Sequence, residues 1–285
     1  MRRHFPAKAS VPRGFTLIEV LVVMVIIAIL VALVVPAISG VRTRARMAQV
    51  SAEISQLDAA IAKFKAVFNV EPPSSLLIPP VGGPWTALDR SKVRGLWPQF
   101  DFATNGNLGN TSAIHLNGAE CLVFFLGGYE ATSGSVKTVI GFSKDPRYPW
   151  DPNGTNREGP FFEFANERLV NVDGDLAFEY VDPLPDQQTP YLYLSSQGKK
   201  YLRQNNTSAA DDFDVFGSSR DMTYVYLKTV TPPQEQRAGG FQIISPGLDG
   251  EYGSGGIYTN GEELTGNRAT EADNITNFSG GQLLP

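Results

Sequence analysis

From Phe15 to Val35 the chain is one apolar run, broken by a single carboxylate at Glu19 and closed by Pro36. As a helix the run is about 31 Å long, which matches the hydrocarbon core of a bilayer. Past Pro36 and Gly40 the sequence turns polar but keeps a helical period. Met47, Val50, Ile54, Leu57, Ile61, Phe64 and Phe68 step by threes and fours and draw one apolar stripe. Arg44, Glu53, Gln56, Asp58, Lys63 and Lys65 fall elsewhere around the same helix, and Glu71-Pro72-Pro73 ends it. A stripe of this spacing fits a coiled-coil seam or a face covered by the protein's own sheet, and the second is the expectation. Proline and glycine at 36 and 40 predict either local melting or a break where the membrane ends.

Beyond residue 71 the pattern shortens. Residues 72–110, with Pro79-Pro80 and Gly82-Gly83-Pro84, read as an irregular connector. Ala119–Phe125 reads as a short helix or a buried strand, and residues 142–160 as a dense loop. Strands are expected at Phe161–Phe164, Leu169–Val172, Leu176–Val181, Tyr191–Leu194, Tyr224–Val230 and Phe241–Ser245. A long helix lying on an antiparallel sheet, an α+β arrangement, follows.

Composition narrows the functional classes. The chain has 285 residues and a formal charge of -5; without Met1–Gly14 it loses four basic residues and reaches -9, which argues against a nucleic-acid surface. The single cysteine, Cys121, forms no internal disulfide, and its apolar neighbours predict a buried, inert thiol. A catalytic partner for it would have to be His4 or His115. Phosphate-loop, nucleophile-elbow, CxxC and HExxH spacings are absent, so no enzyme is expected. Asp211-Asp212 with Asp214 reads as a solvated loop rather than a metal cluster.

Glu19 is the anomaly. A carboxylate at membrane depth costs about 2.5–3.5 kcal/mol, so it needs a partner or a task. A secretory signal peptide explains neither the length of the run nor this charge, and a plain membrane anchor explains only the length. Gly14-Phe15-Thr16-Leu17-Ile18-Glu19-Val20, preceded by a basic leader, resembles the processing motif of type IV prepilins and type II secretion pseudopilins. The resemblance implies cleavage by a prepilin peptidase after Gly14 and N-methylation of Phe15. It also implies that Glu19 pairs with the N-terminal amine of a neighbouring subunit, and that Pro36 matches the family's helix-kinking proline. Implied segments are a leader at 1–14, an assembly helix at 15–38, an amphipathic half at 39–71 and a β-rich head at 72–285. The fold implied is pilin-like, with an enlarged, loop-rich head.

A second resemblance concerns residues 245–278. Pro246-Gly247-Leu248-Asp249-Gly250 and Glu271-Ala272-Asp273-Asn274-Ile275 are similar to the two halves of the calcium loop of major pseudopilins. On matching positions Asp249 and Asp273 would be carboxylate ligands of a structural Ca2+, with Asn274 a further candidate and Leu248 a carbonyl donor. An acidic hairpin loop with an Asp-Gly turn is the alternative. The expected function is a structural subunit of a type II secretion or type IV-pilus-like filament. It would be held single-pass in a bacterial inner membrane with its head in the periplasm, and assembled with other pilin or pseudopilin subunits for protein secretion. The alternative is a membrane-tethered binding module, a minor pilin, that recognises substrate or other subunits.

Overall fold

The computed structural model describes residues 14–133, 136–172, 177–198, 201 and 225–283. Most of the leader, the Asp211-Asp212-Asp214 cluster, Leu176 and Tyr224 lie outside the described residues. Internal contacts divide the chain into two units, residues 1–45 and 46–285. One helix, α1 (Leu17–Phe68), belongs to both. It is continuous through Pro36 and Gly40, with neither the melting nor the break that the sequence allows there. A proline removes one donor from the ladder, and the remaining bonds of a long helix can carry it past that point.

In the second unit the apolar stripe of α1 is the spine of the core. Val50, Leu57, Ile61 and Phe64 are fully buried and Ile54 nearly so, while Met47 and Phe68 pack at its ends. Each such side chain contributes about 1.5–3 kcal/mol of apolar burial. The stripe is covered by the head, as its pattern predicts. Polar flanks of the same helix are also tied down: Asp58 pairs with Arg237 at 2.6 Å and Lys65 with Glu71 at 3.0 Å.

The connector after α1 is more ordered than its breakers suggest. It holds strand β1 (Leu76–Ile78) and helix α2 (Ala87–Leu96). Thr86 starts α2 by accepting the amide of Asp89 at 3.0 Å and donating its hydroxyl to the Asp89 carboxylate. Strand β2 (Ile114–Leu116) pairs antiparallel with β1 and leads into helix α3 (Gly118–Gly127). Asn117 and Glu120 close a reciprocal capping box at the start of α3, which decides for helix over strand. All ten residues of α3 are buried, including Cys121, whose thiol donates to the carbonyl of Leu116 at 3.7 Å.

Next come the hairpin β3 (Glu130–Ser133) and β4 (Val136–Val139) and three short strands, β5 (Phe142–Ser143), β6 (Arg157–Glu158) and β7 (Leu169–Val170). Strand β8 (Glu179–Tyr180) pairs with β7. Phe161–Phe164 is not a strand. The amides of Phe161 and Phe162 go to the carbonyl of Leu126 in the last turn of α3, at 2.7 and 3.4 Å, and leave no ladder to form. β9 (Leu192–Ser195), β10 (Tyr226–Val230), β11 (Pro233–Glu235), β12 (Phe241–Ser245), β13 (Gly256–Ile257) and β14 (Ile275–Thr276) complete the order. Two three-stranded sheets result among the described residues, β14-β12-β9 and β11-β10-β13. All pairings between these strands are antiparallel except β10 with β13. The architecture is α+β, with an apolar N-terminal helix followed by antiparallel sheets, in keeping with a pilin-like fold.

The exit from α3 depends on close backbone approach. Gly128 has φ +93°, and a Cβ there would lie 2.3 Å from Cα of Gly141. Gly128→Ala should therefore destabilise the head by about 2–4 kcal/mol, read as a lower midpoint in thermal unfolding. An unchanged midpoint would contradict this packing.

Candidate functional site

Gly14, Phe15 and Thr16 precede α1 in non-helical backbone, and Phe15 is 88% exposed. Thr16 and Glu19 form a local unit. The amide and the hydroxyl of Thr16 both donate to Oε2 of Glu19 at 2.8 Å, and the amide of Glu19 donates to Oγ1 of Thr16 at 3.3 Å. This is a capping box, and it satisfies orphan donors of the first turn. Glu19 is thus occupied locally, which explains how an isolated chain carries an acid at the start of an apolar helix. The Thr-x-x-Glu spacing at residues 16–19 is the local sign of this cap.

From Leu17 to Val34 the helix is long and apolar enough to cross a membrane, with a mean hydropathy of 3.4 and none of its residues buried. Every described side chain from Phe15 to Val34 is exposed. Such a surface requires lipid or other protein around it.

The C-terminal candidates gather at one turn. Oδ2 of Asp273 accepts the amides of Leu248 and Asp249, at 2.5 and 3.2 Å, and Oδ1 of Asp249 accepts the amide of Glu251 at 2.8 Å. Asn274 is buried; its Nδ2 donates to the carbonyl of Tyr252 at 2.9 Å and to the Tyr226 hydroxyl at 3.3 Å. Its Oδ1 is buried with no hydrogen-bond partner among the described residues. Asp249 and Asp273 bring two carboxylates to this turn, short of the six to eight oxygens that calcium takes. No group of three or more His, Cys, Asp or Glu side chains forms a metal cluster among the described residues.

Burial raises the Asp249 carboxyl to about 6, aided by the negative charges of Asp273 and Glu251. In the unfolded chain the same group titrates near 3.8. Between those values the folded state keeps a proton that the unfolded state has lost, so stability falls as pH rises from about 4 to about 6. Above that window the penalty is constant. Asp249→Asn should flatten this part of the pH–stability curve in metal-free buffer, and an unchanged slope would contradict the assignment.

Two anchors of the head escaped the sequence analysis. Glu271 is fully buried, accepts the amides of Ser254 and Gly255 at 3.0 and 2.9 Å, and pairs with Arg268 at 2.7 Å. It pins the long loop between the two halves of the turn. Glu53 on α1 is the second. Arg168 grips both its oxygens, and the hydroxyls of Tyr191 (2.7 Å) and Tyr180 (3.3 Å) donate to it. The Arg168 guanidinium also lies 4.3 Å from the centroid of the Tyr180 ring. Burial, together with the Glu53 charge, raises the Tyr180 hydroxyl to about 12, so it stays a donor at any working pH.

Residues 11–35 match the family model described as the prokaryotic N-terminal methylation motif. Comparisons with curated proteins and with solved structures give no match. On an exposed apolar N-terminal helix, this chain carries the signal of type IV prepilins and pseudopilins.

Proposed function

We propose that this protein is a structural subunit of a pseudopilin-like filament of a type II secretion or related machine. Prepilin-peptidase processing and pilin-type assembly are what the motif implies; the secretion role is the further step. The observation that carries it is the bare helix surface from Leu17 to Val34, with Glu19 at its start. Before assembly, lipid covers that surface in a bacterial inner membrane while the head stands in the periplasm. Within a filament, neighbouring copies cover it, and Glu19 exchanges its Thr16 donors for the amine of a cleaved Phe15. No enzymatic role is proposed, since the motif belongs to a structural class. Deleting the gene from its host should block export of a secreted protein set or abolish surface filaments. Intact secretion and intact piliation together would contradict the proposal.

One observation favours a second reading, that of a head which binds substrate or other subunits. A cleft of about 320 Å³ opens beside β1 and β2, lined by Ile78, Ile114, Leu116, Phe124 and Tyr129. That is within the size range of small ligand sites.

A structural Ca2+ at Asp249 and Asp273 is a separable proposal. The closeness of Asp273 to the Asp249 turn and the Oδ1 of Asn274, without a hydrogen-bond partner among the described residues, support it. Calcium at millimolar concentration should raise the melting temperature, and Asp273→Ala should abolish the rise. A chelator that shifts nothing would retire the ion.

A further inference from the structure

Between Glu19 and Glu53 the charged residues are all arginines: Arg42, Arg44 and Arg46. Arg42 and Arg44 belong to the first unit of the chain and follow closely on the apolar span that ends at Val34. Both are exposed, and neither is in an ion pair among the described residues. An exposed arginine on an ordinary surface needs no partner. What singles out this pair is the depth and the direction at which α1 holds it.

Depth follows from the unbroken helix. Hydrocarbon about 30 Å thick that begins at Phe15 ends near Val35. Because α1 continues through Pro36 and Gly40, the α-carbons of Arg42 and Arg44 lie about 10 and 14 Å farther along its axis. Side chains on a helix lean towards its N-terminus, and a long arginine stem reaches back while its charged end stays in the polar layer. That layer is about 5–8 Å deep on each side of the hydrocarbon. Both guanidinium groups therefore come to the level of the lipid phosphates.

Direction decides what meets them. Two residues along a helix turn about 200° around the axis and rise about 3 Å. Arg42 and Arg44 thus point to nearly opposite sides at nearly one depth. A protein docked on one face would meet one of the two. Phospholipids surround a helix on every side at a single level, so both arginines find phosphates together. The guanidinium fork matches phosphate geometry, and a headgroup without its own ammonium leaves that phosphate free to pair. Loss of Met1–Gly14 would also take Arg2, Arg3, Lys8 and Arg13 from the other end of the span, leaving the basic side chains that flank it on the C-terminal side alone.

We propose that Arg42 and Arg44 form a binding site for anionic phospholipid headgroups, in the leaflet at the C-terminal end of the span. The site rests on the membrane-held state in the proposed function and adds to it the class of lipid that fixes this end of the helix at its depth.

The test uses the full-length chain co-expressed with a prepilin peptidase and reconstituted into vesicles of equal parts phosphatidylcholine and phosphatidylglycerol. After extraction in mild detergent, native mass spectrometry identifies the phospholipid each chain retains. The unsubstituted chain should retain phosphatidylglycerol in preference to phosphatidylcholine. Each arginine near a charged membrane surface favours binding by about fivefold, so Arg42→Gln/Arg44→Gln should lower the preference at least fivefold. Arg42→Lys/Arg44→Lys keeps the charge and should keep most of the preference. Both positions are exposed, so the head's melting temperature should not change in either variant. A preference that survives the glutamine substitutions would overturn the site and assign the arginines to a protein partner. So would a preference abolished by inorganic phosphate but not by sodium chloride of equal ionic strength, which would make this a site for free phosphate. A chain that fails to float with the vesicles would overturn the membrane-held state itself, and the lipid site with it.

Discussion

Replacing Glu19 by alanine should leave cleavage after Gly14 intact and reduce incorporation into filaments at least tenfold. The proposed scissile bond lies outside α1, in the non-helical Gly14-Phe15-Thr16 segment, so cleavage is expected not to depend on the Glu19 carboxylate. Under the proposed function, assembly should depend on it. When copies pack through Leu17–Val34, an amine on Phe15 enters an apolar environment, where an unpaired charge is expensive and a paired one is tolerated. Removing Glu19 leaves that amine without its counter-charge. The capping box complicates a simple reading, because alanine also removes the oxygen that holds the Thr16 amide. Glu19→Gln separates the two effects. Glutamine keeps an acceptor for Thr16 and loses the charge, so a chain that is cleaved, folded and still unable to assemble assigns the defect to charge. Normal assembly of the glutamine variant would transfer the role of Glu19 to helix capping.

The second large effect is expected in the head. Glu53→Ala should destabilise it by about 3–5 kcal/mol, because it leaves Arg168 and the Tyr191 hydroxyl partly buried without their acceptor. For a unit of this size that lowers the melting temperature by about 10 °C. The double variant Glu53→Ala/Arg168→Ala should cost less than the sum of the two single ones, since each single change strands the other partner. Thermal unfolding of the detergent-solubilised chain reads both numbers. Strict additivity would show that the two side chains act independently, contrary to their geometry.

These two sites differ in how far the sequence revealed them. The N-terminal signal is local: Gly14, Phe15 and Glu19 lie within six consecutive residues and carry the resemblance to the processing motif. The stripe of α1 is also local, since helical period fixes which side chains share a face, and Val50 through Phe64 are buried as that period requires. Strand β12 was legible to the residue because Phe241–Ser245 holds an aromatic and two β-branched residues and is bounded by Gly240 and Pro246. The Glu53–Arg168 pair spans 115 positions, and nothing in either local sequence names the other. Helix α2 was missed for a different reason. Prolines and glycines crowd its N-terminal side, and only Asp89, Val93 and Leu96 are buried, too few to draw a period. Its one sign was the Thr86-x-x-Asp89 cap. Phe161–Phe164 reversed the error: aromatic residues that suit a strand instead supply rings to the core, with Phe161 packed against Phe64 at 5.3 Å.

The C-terminal turn lies between these extremes. Asp249 and Asp273 were singled out by resemblance, and the fold does bring them together. The residue that fixes the loop, Glu271, escaped because its ligands are the backbone amides of Ser254 and Gly255, which carry no side-chain signature.

The account stands on a chain that is trimmed and then joins its neighbours through the new end. An intact-mass measurement on protein purified from its native cell, followed by N-terminal fragmentation, tests this directly. The expected species starts at Phe15, lacks Met1–Gly14 and carries one added methyl group on its α-nitrogen. A mature polypeptide that still begins at Met1 would contradict it.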